Sequence, residues 1–137
     1  MTPMLTGFRV LDLTQFVAGP TCTRIMAELG ADVVKVELSP TGDHARQSGL
    51  RARGKNLENC TQSTYFIQHN HSKRSLAIDL KNPKGQALLK KMLPKFDVLV
   101  ENFAPGAVAR MGLDYDTVKE INPRIVMCSI SMAGQTG

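Results

Sequence analysis

Apolar residues in this chain fall in short runs broken by polar turns, and strand-like spacing alternates with helix-like spacing. Phe8–Leu13 reads as a buried strand that stops at a turn ending in Ala18-Gly19-Pro20. Pro20 suits a first helical turn, where a missing N–H costs nothing. The spacing predicts a helix over Thr21–Leu29, with Cys22, Ile25, Met26 and Leu29 on one face and Gly30 at its end. Asp32–Val36 is a second strand, rich in valine, and Leu38–Gln62 is polar and unpatterned, a long loop. Ser75–Leu80 alternates as a third strand. Asn82-Pro83 then caps and opens a helix over Lys84–Leu93, along which Ala87, Leu88, Lys91 and Met92 are placed. Val98–Val100 is the fourth strand, Ala107–Met111 and Tyr115–Ile121 are short helices, and Ile125–Ile130 is the fifth strand. That order predicts an α/β fold with a doubly wound, mainly parallel sheet. The Gly-rich tail Ser131–Gly137 reads as a loop that would deliver the chain to a further element, so the expectation is the front part of a longer protein.

Two strand-end loops hold the candidate chemistry. One runs from Val10-Leu11-Asp12-Leu13 into Thr14–Pro20, the other from Val98-Leu99-Val100 into Glu101-Asn102-Phe103-Ala104-Pro105-Gly106. Open α/β sheets bind ligands outside the carboxyl ends of their strands, so two such loops point to one phosphate-bearing ligand between them. Ala18-Gly19 is either a tight turn or a surface that a ligand approaches closely at a helix N-terminus. Asn102 and Phe103 either hold a planar polar group such as adenine or serve as a turn cap and a core ring. Lys81 and Arg110 are single cations beyond strand ends. The acids Asp43, Asp79, Asp97 and Asp114 are explained as turn or cap residues. No GxGxxG, GxSxG or HExxH motif is present.

Size and charge narrow the reading further. The 137 residues support one core, and 42% hydrophobic with 21% charged residues is ordinary globular usage. The three cysteines, Cys22, Cys60 and Cys128, form no CxxC pair, which disfavours a disulfide framework or zinc site. His69-x-His71 lacks further ligands at suitable spacing and is read as a polar surface loop. Neither a membrane span nor a secretory leader is recognisable, so the expected localisation is cytoplasmic. A net charge of +5 fits nucleic acid, a phosphorylated small molecule or a merely soluble surface. Arg46, Arg51, Arg53 and Lys55 form the densest basic stretch, read as a solvated loop ahead of a phosphate clamp. Aromatics do not interleave with these cations, which argues against a stacking platform for single-stranded nucleic acid.

Several segments together resemble the class III coenzyme A transferases of the carnitine–CoA and formyl-CoA transferase type (CaiB/BaiF). They are Gly7-Phe8-Arg9-Val10-Leu11-Asp12-Leu13-Thr14, Ala18-Gly19-Pro20, Leu29-Gly30-Ala31-Asp32-Val33-Val34-Lys35-Val36-Glu37, Gly42-Asp43, Asn70-His71-Ser72-Lys73-Arg74-Ser75 and Asp97–Phe103. Pro105-Gly106, Asn122-Pro123 and the closing Gly-Gln-Thr-Gly also fit. The resemblance implies that residues 1–137 are the incomplete N-terminal part of a Rossmann-like, CoA-binding large domain. It implies acyl-CoA and a carboxylic acid as substrates, with no tightly bound cofactor, and two interlocked copies in the full-length protein. By the same resemblance Val17, Ala18, Ile78, Asp79, Leu80, Lys81, Asn102, Phe103, Ala104 and Arg110 take CoA-contacting positions. Leu38 stands where some relatives carry an arginine, and Gln15-Phe16-Val17 departs from the formyl-CoA enzyme's loop. The family's nucleophilic aspartate is expected downstream of Gly137, so this segment alone would bind part of CoA without catalysis. An α-methylacyl-CoA racemase of the same family, or a non-catalytic nucleic-acid-binding module, are the alternatives.

Overall fold

In the computed structural model, residues 2–50 and 63–135 are described. Five parallel strands form one sheet: β1 (Arg9–Asp12), β2 (Asp32–Leu38), β3 (Arg74–Ile78), β4 (Val98–Glu101) and β5 (Val126–Ser129), in the order β3-β2-β1-β4-β5. The helices are α1 (Ala18–Glu28), α2 (Thr64–Asn70), α3 (Pro83–Met92), α4 (Ala107–Arg110) and α5 (Tyr115–Ile121). Short 3-10 turns cover His44–Gln47 and Leu93–Lys95. The doubly wound parallel sheet expected from the alternation of elements is therefore present.

The register of the central strands decides which side chains share a face. Leu11 lies beside Val34 and Leu99, and these pack with Leu89, Leu93 and Val118 beneath α3 and α5. Val10, beside Val33, turns the other way and packs with Val100, Ala31 and residues of α1. On that second face the next register row is polar: Asp12 beside Lys35, and Lys35 beside Ser75.

Three sequence expectations need correction. The segment after the long loop is not unstructured to the third strand. Ser63 accepts a hydrogen bond from the Phe66 N–H and caps α2, whose Phe66 is buried. His69 and His71 therefore belong to the end of this helix rather than to a surface loop. His69 meets Thr21 at 3.0 Å, and His71 lies 3.2 Å from Glu28. The helical face assigned to Cys22, Ile25, Met26 and Leu29 is half exposed. Instead α1 buries Gly19, Pro20 and Thr23. On α3 the buried position is Leu89, while Leu88 is 49% exposed.

Local signals at the other ends hold. Asn82 accepts from the Lys84 N–H with Pro83 in the first turn, and Gly30 takes the left-handed conformation just past α1. Three of the four acids assigned to turns do cap them: Asp43 accepts from the Ala45 N–H, Asp79 from the Lys81 N–H and Asp114 from the Thr117 N–H. Asp97 instead accepts from the distant Arg9 N–H and ties the start of β1 to the segment before β4.

Candidate functional site

Strand order reverses between β1 and β4. The loops leaving these two strands diverge there, opening a crevice at the carboxyl edge of the sheet. A cavity of about 320 Å³ lies at this edge. Its walls are Leu13 and Gln15 from the β1 loop, Val36 and Leu38 from β2, Leu80 and Lys81 after β3, and Phe103 with Ala107, Arg110 and Met111 around α4. Most of these side chains are apolar. Two cations, Lys81 and Arg110, stand on exposed ground at its rim. An apolar slot with cations at its mouth suits an amphipathic ligand ending in phosphate.

Each sequence-predicted site residue now has a place. Leu80, Lys81, Phe103 and Arg110 line the cavity. Ile78 closes β3 in the core at 4% exposure, and Asp79 fixes the turn that presents Lys81. Gly85 of α3 supports that turn, because a Cβ there would lie 2.1 Å from the Asp79 carbonyl oxygen. Ala104 is exposed beside Phe103. Val17 and Ala18 open α1 at the same sheet edge, outside the walls of this cavity.

Asn102 bridges the two divergent loops. Its side-chain oxygen accepts from the Gln15 N–H and its amide donates to the Gln15 carbonyl, both at 2.8 Å. The position of Gln15 in the cavity wall is thus set from across the switch point. Gly19 has a packing reason rather than a ligand-approach reason, since a Cβ there would meet Thr14 Cβ at 2.3 Å.

A buried charge network lies beneath the β1 loop, and sequence reasoning missed it. Asp12 Oδ2 accepts from Thr23 Oγ1 at 2.6 Å and from Lys73 Nζ at 2.9 Å, while Oδ1 accepts from the Thr14 N–H. Lys73 also donates to the Pro20 carbonyl and to Asn70 Oδ1. Burial pulls the Lys73 ammonium below the ordinary lysine value, with the Asp12 charge acting in the opposite direction. Lys35 Nζ donates to the Thr14 carbonyl at 2.6 Å and pairs with Asp43 Oδ2 at 2.8 Å. Asp43 Oδ1 in turn accepts from the Phe16 N–H at 3.2 Å.

Glu37 anchors the segment that carries Asp43. Arg46 donates to both its carboxylate oxygens at 2.6 and 2.7 Å, Ser75 Oγ donates at 2.7 Å, and the Asp43 N–H at 3.1 Å. Burial pushes the Glu37 carboxyl up, but the hydrogen bonds and charge of Arg46 with those of Ser75 and Asp43 prevail and hold it at about 2. Arg46, expected in a solvated basic loop, is instead paired with Glu37 and lies 3.7 Å over the Phe66 ring. Arg51, Arg53 and Lys55 lie outside the described residues.

A second hollow of about 280 Å³ opens on the α2 side, lined by Lys35, Arg46, His71, Lys73 and Arg74 among others. Each of these five has an acidic neighbour: Asp43, Glu37, Glu28, Asp12 and Asp32 respectively. It is therefore no ready anion site. Among the described residues no group of His, Cys, Asp and Glu could hold a metal ion, and no helix is long and apolar enough to cross a membrane.

Sheet order and the cavity at the strand ends define an α/β protein with a parallel sheet and a crevice at its carboxyl edge. Comparison with known proteins gives the family. The model for CoA-transferase family III matches residues 5–137, and the chain belongs to that family. It is 45% identical over 134 residues to a formyl-CoA:oxalate CoA-transferase from Bradyrhizobium diazoefficiens, covering 98% of this chain and 30% of that enzyme. It is 43% identical over 133 residues to the human succinyl-CoA:glutarate CoA-transferase, covering 97% of this chain and 29% of that one. A CAIB/BAIF family protein from Brucella suis superposes with a TM-score of 0.87 at 36% identity, over 100% of this chain and 35% of that structure. The chain thus spans about 30% of the length of the curated relatives it matches.

Proposed function

We propose that this chain is the N-terminal part of an acyl-CoA:carboxylate CoA-transferase and supplies the CoA-holding side of its active site. The observation that carries this reading is the apolar cavity at the strand-order reversal with Lys81 and Arg110 at its rim. The two cations take phosphate groups of CoA, and Leu13, Leu38, Leu80, Phe103 and Met111 give its less polar parts a dry wall. Leu38 makes that wall apolar where some relatives would place a guanidinium. Ala104, Val17 and Ala18 border the ligand from the adjoining loop tips. Asn102 and Asp79 act indirectly, through Gln15 and Lys81. The nucleophilic aspartate is expected outside these 137 residues, and the full-length protein is expected to work as a homodimer.

The test is steady-state kinetics of the full-length protein with Lys81→Ala and Arg110→Ala. An exposed charge-assisted contact is worth about 1 kcal/mol, so each variant should raise the acyl-CoA KM about fivefold. Unchanged KM in both variants removes the site assignment. Inversion at the α-carbon of an acyl-CoA without transfer of the thioester would reassign the protein to racemase chemistry.

A further inference from the structure

Gln15 is the one residue of the β1 loop beyond Leu13 that lines the cavity, and both of its chain neighbours are held from below. Thr14 presents its carbonyl to Lys35 Nζ at 2.6 Å, and Phe16 presents its N–H to Asp43 Oδ1 at 3.2 Å. Phe16 has φ +66°, a left-handed conformation that a bulky side chain resists. Its ring is half exposed and stacks on His44, 5.7 Å away, so burial of the ring does not explain the conformation. The backbone is held there by its hydrogen bonds. Lys35 and Asp43 have side chains 2% and 0% exposed, 2.8 Å apart, and neither lines the cavity.

We propose that Lys35 and Asp43 are positioning residues: their buried ion pair clamps Thr14 and Phe16 and so sets the wall residue Gln15 for CoA. The inference rests on the function proposed above. Sequence separation explains how the clamp works. Lys35 comes from the middle of β2 and Asp43 from the turn after it, so the pair ties β2 and its following turn to the loop that leaves the adjacent strand β1. A lone hydrogen bond to a loop is easily exchanged for water, whereas one made by a desolvated, charge-paired group is not. A pair that only stabilised the fold would be replaceable by apolar side chains of similar size, which is often neutral or favourable. A positioning pair would not be, because the Thr14 carbonyl and the Phe16 N–H would lose their partners.

The experiment uses the full-length protein with free coenzyme A as the titrated probe. Wild type, Lys35→Met/Asp43→Leu and Asp43→Asn are compared by calorimetric titration, thermal unfolding and amide exchange of residues 14–17. The double variant is expected to fold but melt several degrees below wild type, because the Ala45 cap is lost with the two loop hydrogen bonds, and to bind CoA about tenfold more weakly. Exchange at residues 14–17 should quicken to match. A folded double variant with wild-type affinity and wild-type protection of the loop overturns the proposal. Should the double variant not fold, Asp43→Asn decides. It keeps the shape and the acceptor for Phe16 but leaves Lys35 unpaired, and is expected to weaken CoA at least threefold; unchanged affinity and exchange overturn the clamp. Wild type that takes up no CoA overturns the functional reading instead, while the exchange comparison still decides whether the pair holds the loop.

Discussion

Replacing Glu37 by Gln tests the electrostatic anchor on which the site is built. The Glu37 carboxyl lies at about 2 in the fold against an ordinary 4.5. Stabilisation from such a lowered group is complete well above the ordinary value and is lost as pH falls through the folded one. The difference corresponds to about 3 kcal/mol at neutral pH, at 1.36 kcal/mol per pH unit. Arg46 keeps 23% of its side chain exposed, so water screens the pair and about 2 kcal/mol is the better figure. At pH 3.5 roughly three-fifths of that should remain. Gln can still accept from Ser75 or Asp43, but its amide places a donor against the Arg46 guanidinium. Thermal unfolding of wild type and Glu37→Gln at pH 7 and pH 3.5 should therefore show a penalty that shrinks by about two-fifths in acid. A penalty of the same size at both pH values would mean that shape, and not charge, is what Glu37 contributes.

Other changes probe different supports of the same edge. Asn102→Ala removes both hydrogen bonds to Gln15, so stability should drop by about 2 kcal/mol and the acyl-CoA KM should rise, read by urea unfolding and kinetics. Gly85→Ala drives a Cβ toward the Asp79 carbonyl, and a loss of about 1–3 kcal/mol is expected, with weaker CoA binding through the Lys81 turn. Lys73→Met leaves the Asp12 carboxylate buried without its cation, which should cost about 3–5 kcal/mol in thermal or chemical unfolding. Lys81→Ala with Arg110→Ala should flatten the salt dependence of CoA affinity, while wild type weakens as salt rises.

The sequence was most legible where local chemistry decides. Strand runs such as Val98–Val100, the Asn82-Pro83 helix start and the caps at Asp43 and Asp114 depend on neighbours a few residues away, and the structure contains all of them. The short helix Thr64–Asn70 was harder to read. Ser63 is a good N-cap, but the helix buries only Phe66 and the polar Asn70, which gives no apolar stripe to read. The family was legible too, because motifs in order along the chain do not require knowing how they pack.

The polar interior lay beyond periodicity, and the reason is specific. In Val33-Val34-Lys35-Val36-Glu37, strand alternation places Lys35 and Glu37 opposite Val34 and Val36, a pattern that normally means one wet face. Here both faces are covered, and Lys35 and Glu37 are 1% and 4% exposed. What makes this tolerable comes from elsewhere: Asp43 and Arg46 from the following loop, Ser75 from β3. Lys73, from the residue before β3, does the same for Asp12. A desolvated charge needs such partners to be stable, so several contacts must form together before any of these residues is in its place. Lys35 and Asp43, which do not line the cavity, bond the loop residues on either side of the wall residue Gln15. The cations singled out from sequence, Lys81 and Arg110, are exposed and stand at the cavity rim. The residues that fix their surroundings look, in sequence, like the solvated face of a strand.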